Sequence, residues 1–201
     1  MPTICIYCSS SDAIDLKWRR VAQGIADALI AREFDLVWGC GAVGLMGEVG
    51  RHFKNAGRKT TGVIPGKLNL SGIVFPDATE CILTDTMSER KQIMIERADA
   101  FLALPGGFGT LEEIMEVITL CQLGYIHKPV ALCNSGGFYE GLLAQFERML
   151  REKFIRNSFR RLYLISDDPQ EIAAYLSNSK PAQFSQKWFE DCLDGRAEVP
   201  E

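Results

Sequence analysis

Residues 100–113, with the sequence AFLALPGGFGTLEE, decide how this chain is expected to fold. They begin with five apolar residues, which is the pattern of a strand covered on both faces of a sheet. A glycine-rich turn follows and leads into a segment with helical periodicity. Similar apolar runs alternate with helix-period segments along most of the chain, and this alternation predicts parallel strands joined by helical crossovers.

We therefore predict an α/β fold: a doubly wound, Rossmann-like, mostly parallel sheet of about seven strands with helices on both faces. The apolar runs predicted as strands are 3–7, 35–39, 60–64, 80–84, 100–104, 130–133 and 162–165, and the predicted helices lie near 12–33, 45–56, 86–98, 110–123, 138–153 and 169–177. We expect one domain over residues 1–180. A tail over residues 181–201 should be partly helical, because Trp188, Phe189 and Leu193 recur at helical spacing.

The composition excludes several classes of protein. The 201 residues are 47% hydrophobic and carry a net charge of −4, which indicates a packed core without the basic excess of nucleic-acid-binding domains. No apolar run approaches the ~20 residues of a membrane span, and residues 1–7 lack the regions of a signal peptide. We expect a cytoplasmic protein with no nucleic-acid partner and no membrane partner.

The cysteines favour the same compartment. There are seven of them, an odd number, and several lie in apolar runs, which is typical of reduced thiols buried in a cytosolic protein. Cys5 and Cys8 have C-x-x-C spacing, but residues three apart on a strand point to opposite faces. No second cysteine pair completes a zinc-binding set, so we expect no metal site.

Three loops rich in small residues are predicted to lie where strands end: 8–11, 39–47 and 105–110. Ligands of doubly wound folds bind outside the carboxyl ends of the strands. Glycine lets backbone N–H groups approach an anion closely, and the start of a helix adds unpaired donors. One such loop can be simply a tight strand-to-helix turn, but several at one edge of the sheet favour an anion-binding site.

Gly39, Gly41 and Gly44 match the dinucleotide fingerprint G-x-G-x-x-G. However, they follow the second predicted strand instead of the first. The acidic residue expected ~20 positions later, which would bind the ribose of NAD, is missing. The loop also lacks the G-K-[ST] ending of a P-loop. A nicotinamide-dependent oxidoreductase is therefore a weak alternative.

Thr110 and Glu113 fit the capping box S/T-x-x-E, in which Glu113 would cap the start of a helix. In a functional interpretation, the same carboxylate lies in the first helical turn beside the glycine loop, where it could stabilise a developing ribosyl cation. Glu116 lies one turn further on roughly the same face. We expect Glu112 to point elsewhere into solvent.

Arg90 and Lys91 stand at the start of the helix after the fourth predicted strand. They could form an ordinary charged, solvated face. However, this strand ends at the same edge as the glycine loop, where cations could bind a phosphate or a leaving base, arginine through its planar fork.

Together these residues resemble the LONELY GUY family of cytokinin-activating phosphoribohydrolases, which is often labelled lysine decarboxylase. The pattern P-G-G-x-G-T-x-x-E stands at 105–113, M-x-E-R-K at 87–91 and V-G-L-M-G at 43–47. The small residues Cys8–Ser10 also fit, and the similarity covers roughly residues 3–177. We see no feature of a pyridoxal-phosphate site that would support the decarboxylase label.

The resemblance implies a homodimer that cleaves AMP or N6-modified AMP into free base and ribose 5-phosphate without a cofactor or a metal. The catalytic residues of the family fall on Arg90 and Glu113. Its phosphate contacts fall on residues 107–110. The expected substrate-binding residues are Ser9, Gly41, Met87, Lys91, Gly106, Gly107, Phe108, Gly109, Thr110, Glu116 and Thr119.

The chain departs from the family pattern at three places. Ser88 stands where the family usually has histidine, the loop 39–42 reads G-C-G-A instead of G-G-G-N, and Ser71-Gly72 replaces an Arg-Glu pair. These changes leave the preferred base open, so hydrolysis of a different nucleotide is one alternative. A non-catalytic nucleotide or cofactor carrier on the same fold is another, because a fold does not fix a function.

Overall fold

A computed structural model describes residues 1–179, and the predicted tail 181–201 lies outside the described residues. The strands are β1 (Thr3–Tyr7), β2 (Asp35–Trp38), β3 (Thr60–Pro65), β4 (Glu80–Thr84), β5 (Ala100–Ala103), β6 (Val130–Cys133) and β7 (Leu164–Ser166). The helices are α1 (Leu16–Ile30), α2 (Gly44–Asn55), α3 (Met87–Arg97), α4 (Phe108–Gln122), α5 (Glu140–Arg151) and α6 (Pro169–Asn178).

All seven strands form one parallel sheet in the order β4-β3-β2-β1-β5-β6-β7. The chain therefore runs from the centre to one edge, returns through α3 to β5 beside β1, and then runs to the other edge. This order confirms the predicted doubly wound fold. It also puts the topological switch point between β1 and β5, where ligands of such folds bind outside the carboxyl ends of the strands.

Two hydrophobic clusters cover the faces of the sheet. On one face, α1, α2 and α6 pack through residues such as Leu29, Phe53 and Ile172. On the other face, α3 and α4 pack through residues such as Met94 and Val117, with side chains of α5 at the margin. The central strands β1, β5 and β6 are buried on both faces, as their continuous apolar sequences predict.

The edge strand β4 has a different pattern of burial. Cys81 and Leu83 are exposed, whereas the alternate residues Glu80 and Ile82 are partly covered. Residues that alternate along a strand point to opposite faces. The face of β4 on the side of α1, α2 and α6 therefore lies open at the border of the sheet, whereas α3 lies on the opposite face.

Within residues 1–179, no helix combines the length and apolar character that a membrane crossing requires.

Gly44, the first residue of α2, should tolerate a side chain poorly. Its φ is +60°, and a Cβ added there would lie 2.7 Å from the backbone carbon of Ser10. Gly57 has a similar φ of +72°, but a Cβ there would have no neighbour within 4 Å. The comparison of the two glycines therefore separates backbone strain from steric overlap.

We predict that Gly57→Ala lowers the free energy of unfolding by about 1 kcal/mol, the cost of left-handed backbone for alanine. Gly44→Ala should cost at least about 2 kcal/mol more, because the backbone of the preceding loop must also move. Urea denaturation followed by circular dichroism measures both values. Equal losses for the two variants would contradict the steric argument.

Candidate active site

Arg90 and Glu113 form a buried ion pair at the carboxyl end of the sheet. Arg90 lies on α3 and Glu113 on α4, and Nη1 of Arg90 donates to Oε1 of Glu113 over 2.7 Å. The two residues are only 6% and 4% exposed. Nε of Arg90 also donates to the carbonyl of Val63 at 3.0 Å, which holds the guanidinium over β3. The structure thus brings together the two residues that the sequence identified as candidate catalytic groups.

Gly39 creates the space that the guanidinium occupies. A Cβ at this position, directly after β2, would lie 1.9 Å from Nη2 of Arg90. The sequence analysis assigned Gly39 to a dinucleotide fingerprint and missed this role. Only the folded chain places the end of β2 against a side chain of α3, so the sequence carried no local signal for it.

The environment of Glu113 shifts its proton affinity. Burial raises the pKa of this carboxyl group, and the positive charge of Arg90 partly opposes the rise. Charges that are held away from water interact more strongly than charges on the surface. Glu113 can therefore act electrostatically on a positive charge that develops nearby.

Lys91 is held between two carboxylates of α4. Its Nζ contacts Glu112 and lies 3.0 Å from Oε2 of Glu116. The hydrogen bond to Glu112, together with Glu116, raises the pKa of Lys91. Glu112 was expected simply to face solvent; its side chain is 55% exposed, but it is ion-paired. A local helical pattern does not reveal this pairing, because the lysine comes from another helix.

The capping-box interpretation of Thr110 and Glu113 is wrong. Helix α4 begins at Phe108 after Gly107, so Thr110 lies inside the first turn and no side chain caps the helix. Thr110 is buried against Gly106, where a Cβ would lie 2.1 Å from Oγ1 of Thr110. Glu113 therefore lies in the second turn instead of the first. Its carboxylate is directed to Arg90 instead of the helix end.

The start of α4 offers backbone donors to a ligand. The first helical hydrogen bond runs from the amide of Leu111 to the carbonyl of Gly107, at 3.1 Å. The amides of residues 108–110 precede this bond and have no side-chain cap. Gly107 and Gly109 are exposed, and a Cβ on either would meet nothing within 4 Å. The fold does not require glycine at these two positions, whereas a closely bound anion would.

The start of α2, in contrast, is already occupied. The amide of Gly44 donates to Oδ1 of Asp12 at 2.9 Å, and this bond lowers the pKa of Asp12. The amide of Met46 donates to the carbonyl of Ser9 at 3.2 Å. Gly41 packs against Met46, since a Cβ there would lie 2.9 Å from Sδ. A carboxylate thus takes the place that a dinucleotide phosphate would need.

The remaining predicted binding residues lie around this edge at different distances. Met87 is the first residue of α3 and is half-exposed, and Phe108 at the start of α4 is 92% exposed. Thr119 is six residues beyond Glu113, which is about 9 Å along the helix axis. Its hydroxyl donates to the carbonyl of Met115 at 2.7 Å. The structure does not bring Thr119 up to the ion pair.

Tyr139, which the sequence analysis missed, holds the start of the glycine-rich loop 105–110 through a hydrogen bond. This buried residue precedes α5, and its hydroxyl donates to the carbonyl of Leu104 at 2.6 Å. Leu104 is the residue before Pro105, so the bond fixes the point where the chain leaves β5. Nothing in the local sequence marks this tyrosine, because the contact spans 35 residues.

Among residues 1–179, no group of three or more histidine, cysteine, aspartate or glutamate side chains is arranged to hold a metal ion.

Comparisons with known proteins place this geometry in context. A family model described as "possible lysine decarboxylase" matches residues 46–176. A probable cytokinin riboside 5′-monophosphate phosphoribohydrolase of Oryza sativa subsp. japonica is 41% identical over 177 residues, which are 88% of this chain and 84% of the relative. A cytokinin riboside 5′-monophosphate phosphoribohydrolase of Arabidopsis thaliana is 38% identical over 199 residues, 98% of this chain and 92% of the relative.

Solved structures with a similar fold include the molybdenum cofactor carrier protein of Chlamydomonas reinhardtii. It has a TM-score of 0.62 and 22% identity, and the alignment covers 86% of this chain and 94% of that one. The molybdenum cofactor binding protein of Rippkaea orientalis also has a TM-score of 0.62, at 21% identity, with 84% and 91% covered. At this identity the likeness shows the fold alone. The relatives above, matched over most of their length, confirm the resemblance: the chain belongs to the LONELY GUY family of cytokinin riboside 5′-monophosphate phosphoribohydrolases.

Proposed function

We propose that this chain hydrolyses the N-glycosidic bond of AMP or an N6-modified AMP, and releases the free base and ribose 5-phosphate. The observation that carries the proposal is the buried Arg90–Glu113 pair, which lies beside a helix start with open amides. An anion site next to a desolvated carboxylate suits a substrate with a phosphate at one end and a developing cation at the other. The names of the relatives describe the same reaction.

The phosphate would bind to the amides of residues 108–110 at the start of α4, next to Gly107 and Gly106. These donors point out of the helix, and the helix dipole favours a negative charge there. Binding the phosphate fixes the ribose attached to it. The binding energy of a group remote from the reacting bond is then available to orient that bond.

The bond from C1′ of the ribose to the base breaks through an oxocarbenium-like state. The carboxylate of Glu113 would stabilise the positive charge at C1′ and orient the attacking water, whose oxygen forms the new bond to C1′. The base leaves with the electron pair of the broken bond and gains a proton, while the attacking water loses one, so that one water molecule is consumed overall. Arg90 would position Glu113 and keep it ionised, because its positive charge opposes the rise in pKa caused by burial. The scheme draws only on side chains and backbone amides of the protein.

We propose that the other residues at this edge contact the ribose and the base. Lys91, which directly follows Arg90 on α3, already interacts with Glu116, which lies about one turn beyond Glu113 on α4. We propose the same role for Ser9, Gly41, Met87 and Phe108, and for Thr119 further along α4. Ser88 and Gly72, which depart from the family pattern, are exposed, and Ser88 directly precedes Glu89 and Arg90 on α3.

A carrier function is not favoured by any feature of this site. The structures of cofactor carriers resemble the chain at 21–22% identity, which bears on the fold only. A dinucleotide-dependent oxidoreductase is disfavoured by Asp12, which occupies the start of α2. We therefore retain hydrolysis as the proposed function.

We also propose that the protein is a cytoplasmic homodimer. Directly after α4, the apolar side chains of Leu123 and Tyr125 are exposed, and such a surface suits a subunit contact. Light scattering of the purified chain gives the mass in solution. A monomeric mass at micromolar concentration would contradict the dimer.

We predict that Glu113→Gln lowers the rate of base release from AMP or isopentenyl-AMP at least about 100-fold, since a neutral amide cannot stabilise the cation. AMP affinity, measured by calorimetry, should remain close to that of the wild type, because the phosphate site is on the backbone. Glu112→Gln is the matched control: this exposed neighbouring carboxylate should be far less important for turnover. Turnover of Glu113→Gln like that of the wild type would refute the assigned role.

We predict that Gly109→Ala raises the free energy of unfolding but weakens the binding of AMP. An added methyl meets no protein atom within 4 Å, so it should stabilise the helix by about 0.4–1 kcal/mol. The same methyl would lie where the phosphate approaches, so affinity for AMP should fall at least about tenfold. Gly141→Ala on α5, also free of neighbours, should bring the stability gain with unchanged AMP affinity. AMP binding unaffected by Gly109→Ala would remove the phosphate site from this loop.

A further inference from the structure

Cys40 and Cys81 form a pair of thiols outside the groups that the proposed reaction uses. Their sulfur atoms lie 3.9 Å apart, although 41 residues separate them in sequence. Cys40 follows Gly39 at the end of β2, and Cys81 is on the edge strand β4. In the sheet, β3 runs between β2 and β4. A side chain that starts at the end of β2 must therefore reach across β3 to contact β4.

Gly62 on β3 makes this contact possible. A Cβ on Gly62 would lie 2.1 Å from Sγ of Cys40, so the cysteine side chain fills the space that any other residue would close. Gly62 is paired in register with Cys81. Side chains at paired positions of neighbouring parallel strands point to the same face. Sγ of Cys81 thus lies on the face over which Cys40 extends.

The backbone of Cys40 shows that this residue is held in an unusual conformation. Its φ is +59°, in the left-handed region that glycine adopts readily and other residues avoid. Non-glycine residues with positive φ occur at sites where the surrounding structure fixes them. A glycine would relieve the strain at this position but would remove the thiol that faces Cys81.

We propose that Cys40 and Cys81 are a modification site, which reacts with a small-molecule disulfide such as oxidised glutathione and closes to an intramolecular disulfide. A disulfide requires a sulfur–sulfur distance of about 2.05 Å. Closing the gap from 3.9 Å draws the exposed Cys81 on its edge strand and the turn at Cys40 towards each other.

The exchange proceeds in two steps. The thiolate of exposed Cys81 attacks one sulfur of glutathione disulfide, forms a mixed disulfide and releases one glutathione thiolate. Cys40 then gives its proton to water, and its thiolate attacks Sγ of Cys81 and displaces the second glutathione. Burial raises the pKa of Cys40 to about 12, so Cys81 is the first nucleophile. Two protein thiols are oxidised, and one disulfide is reduced to two glutathione thiols.

The modification would reach the Arg90–Glu113 pair through Gly39. Cys40 adjoins Gly39, whose missing Cβ leaves room for Nη2 of Arg90, and the carbonyl of Cys40 accepts from the amide of Phe75 at 2.8 Å. Drawing Cys40 toward β4 would shift this turn against the guanidinium. This consequence rests on the proposed function: the oxidised form should release base more slowly.

The chemistry is tested on the full-length chain with oxidised glutathione, followed by alkylation, intact mass and peptide mapping. The wild type should lose two hydrogen atoms and yield a Cys40–Cys81 peptide that dithiothreitol cleaves. Cys40→Gly should stop at a stable glutathione adduct on Cys81, and Cys81→Ser should form neither product. Cys192→Ser, a matched control outside the described residues, should behave like the wild type. A persistent adduct on Cys81 of the wild type, or a different cysteine pair, would overturn the proposal.

The consequence for activity is measured on the same samples. Oxidised wild type should release base from AMP at least about tenfold more slowly than reduced wild type, and dithiothreitol should restore the rate. The rate of Cys81→Ser should not respond to glutathione disulfide. If the disulfide forms without a change in rate, the proposed effect on the ion pair through Gly39 is overturned, whereas the modification itself stands. Absence of base release from both forms would instead contradict the proposed function, while the mass result still decides the modification.

Discussion

The ion pair between Arg90 and Glu113 imposes the main constraint on the functional edge of this molecule. Taking both charges out of water costs several kcal/mol per ion, and their mutual attraction repays this cost only when the geometry is good. Here the carbonyl of Val63 accepts from Nε of Arg90, and a carboxylate oxygen of Glu113 accepts from Nη1. The pair also joins α3 to α4, the two helices that flank β5. Any shift of either helix would separate the charges and leave one of them buried alone.

Glycines provide the room that this arrangement needs. Gly39 admits the guanidinium, Gly106 admits Thr110, and Gly62 admits Cys40, and in each case a Cβ would come within about 2.1 Å of a side-chain atom. Gly107 and Gly109 differ because nothing in the described chain approaches them. The first three glycines are explained by packing within the protein, and the proposed phosphate site would account for the last two. The same residue type thus has two physical causes along one edge of the sheet.

The sequence predicted the layers of the fold, and the edge of the sheet at which the loops gather, more completely than it predicted contacts between helices. Continuous apolar runs such as 100–104 specify buried parallel strands, and their alternation with helices brings the loops to one edge. The capping box failed because Thr110 packs onto Gly106 and lets the helix start at Phe108. The Lys91–Glu112 pair, the space beside Gly39 and the Tyr139 bond all join segments far apart in sequence. Local periodicity carries no information about such partners.

The two helix starts at this edge explain why a mononucleotide fits better than a dinucleotide. Both α2 and α4 follow glycine-rich loops, and both could in principle bind a phosphate. Asp12 already supplies a carboxylate to the amide of Gly44, so a second anion at α2 would meet a like charge. The start of α4 has no such internal partner within the described chain. The open helix start of α4 lies beside the buried acid, which suits the single phosphate and single ribose of the proposed substrate, whereas the pyrophosphate of a dinucleotide at α2 would meet the carboxylate of Asp12.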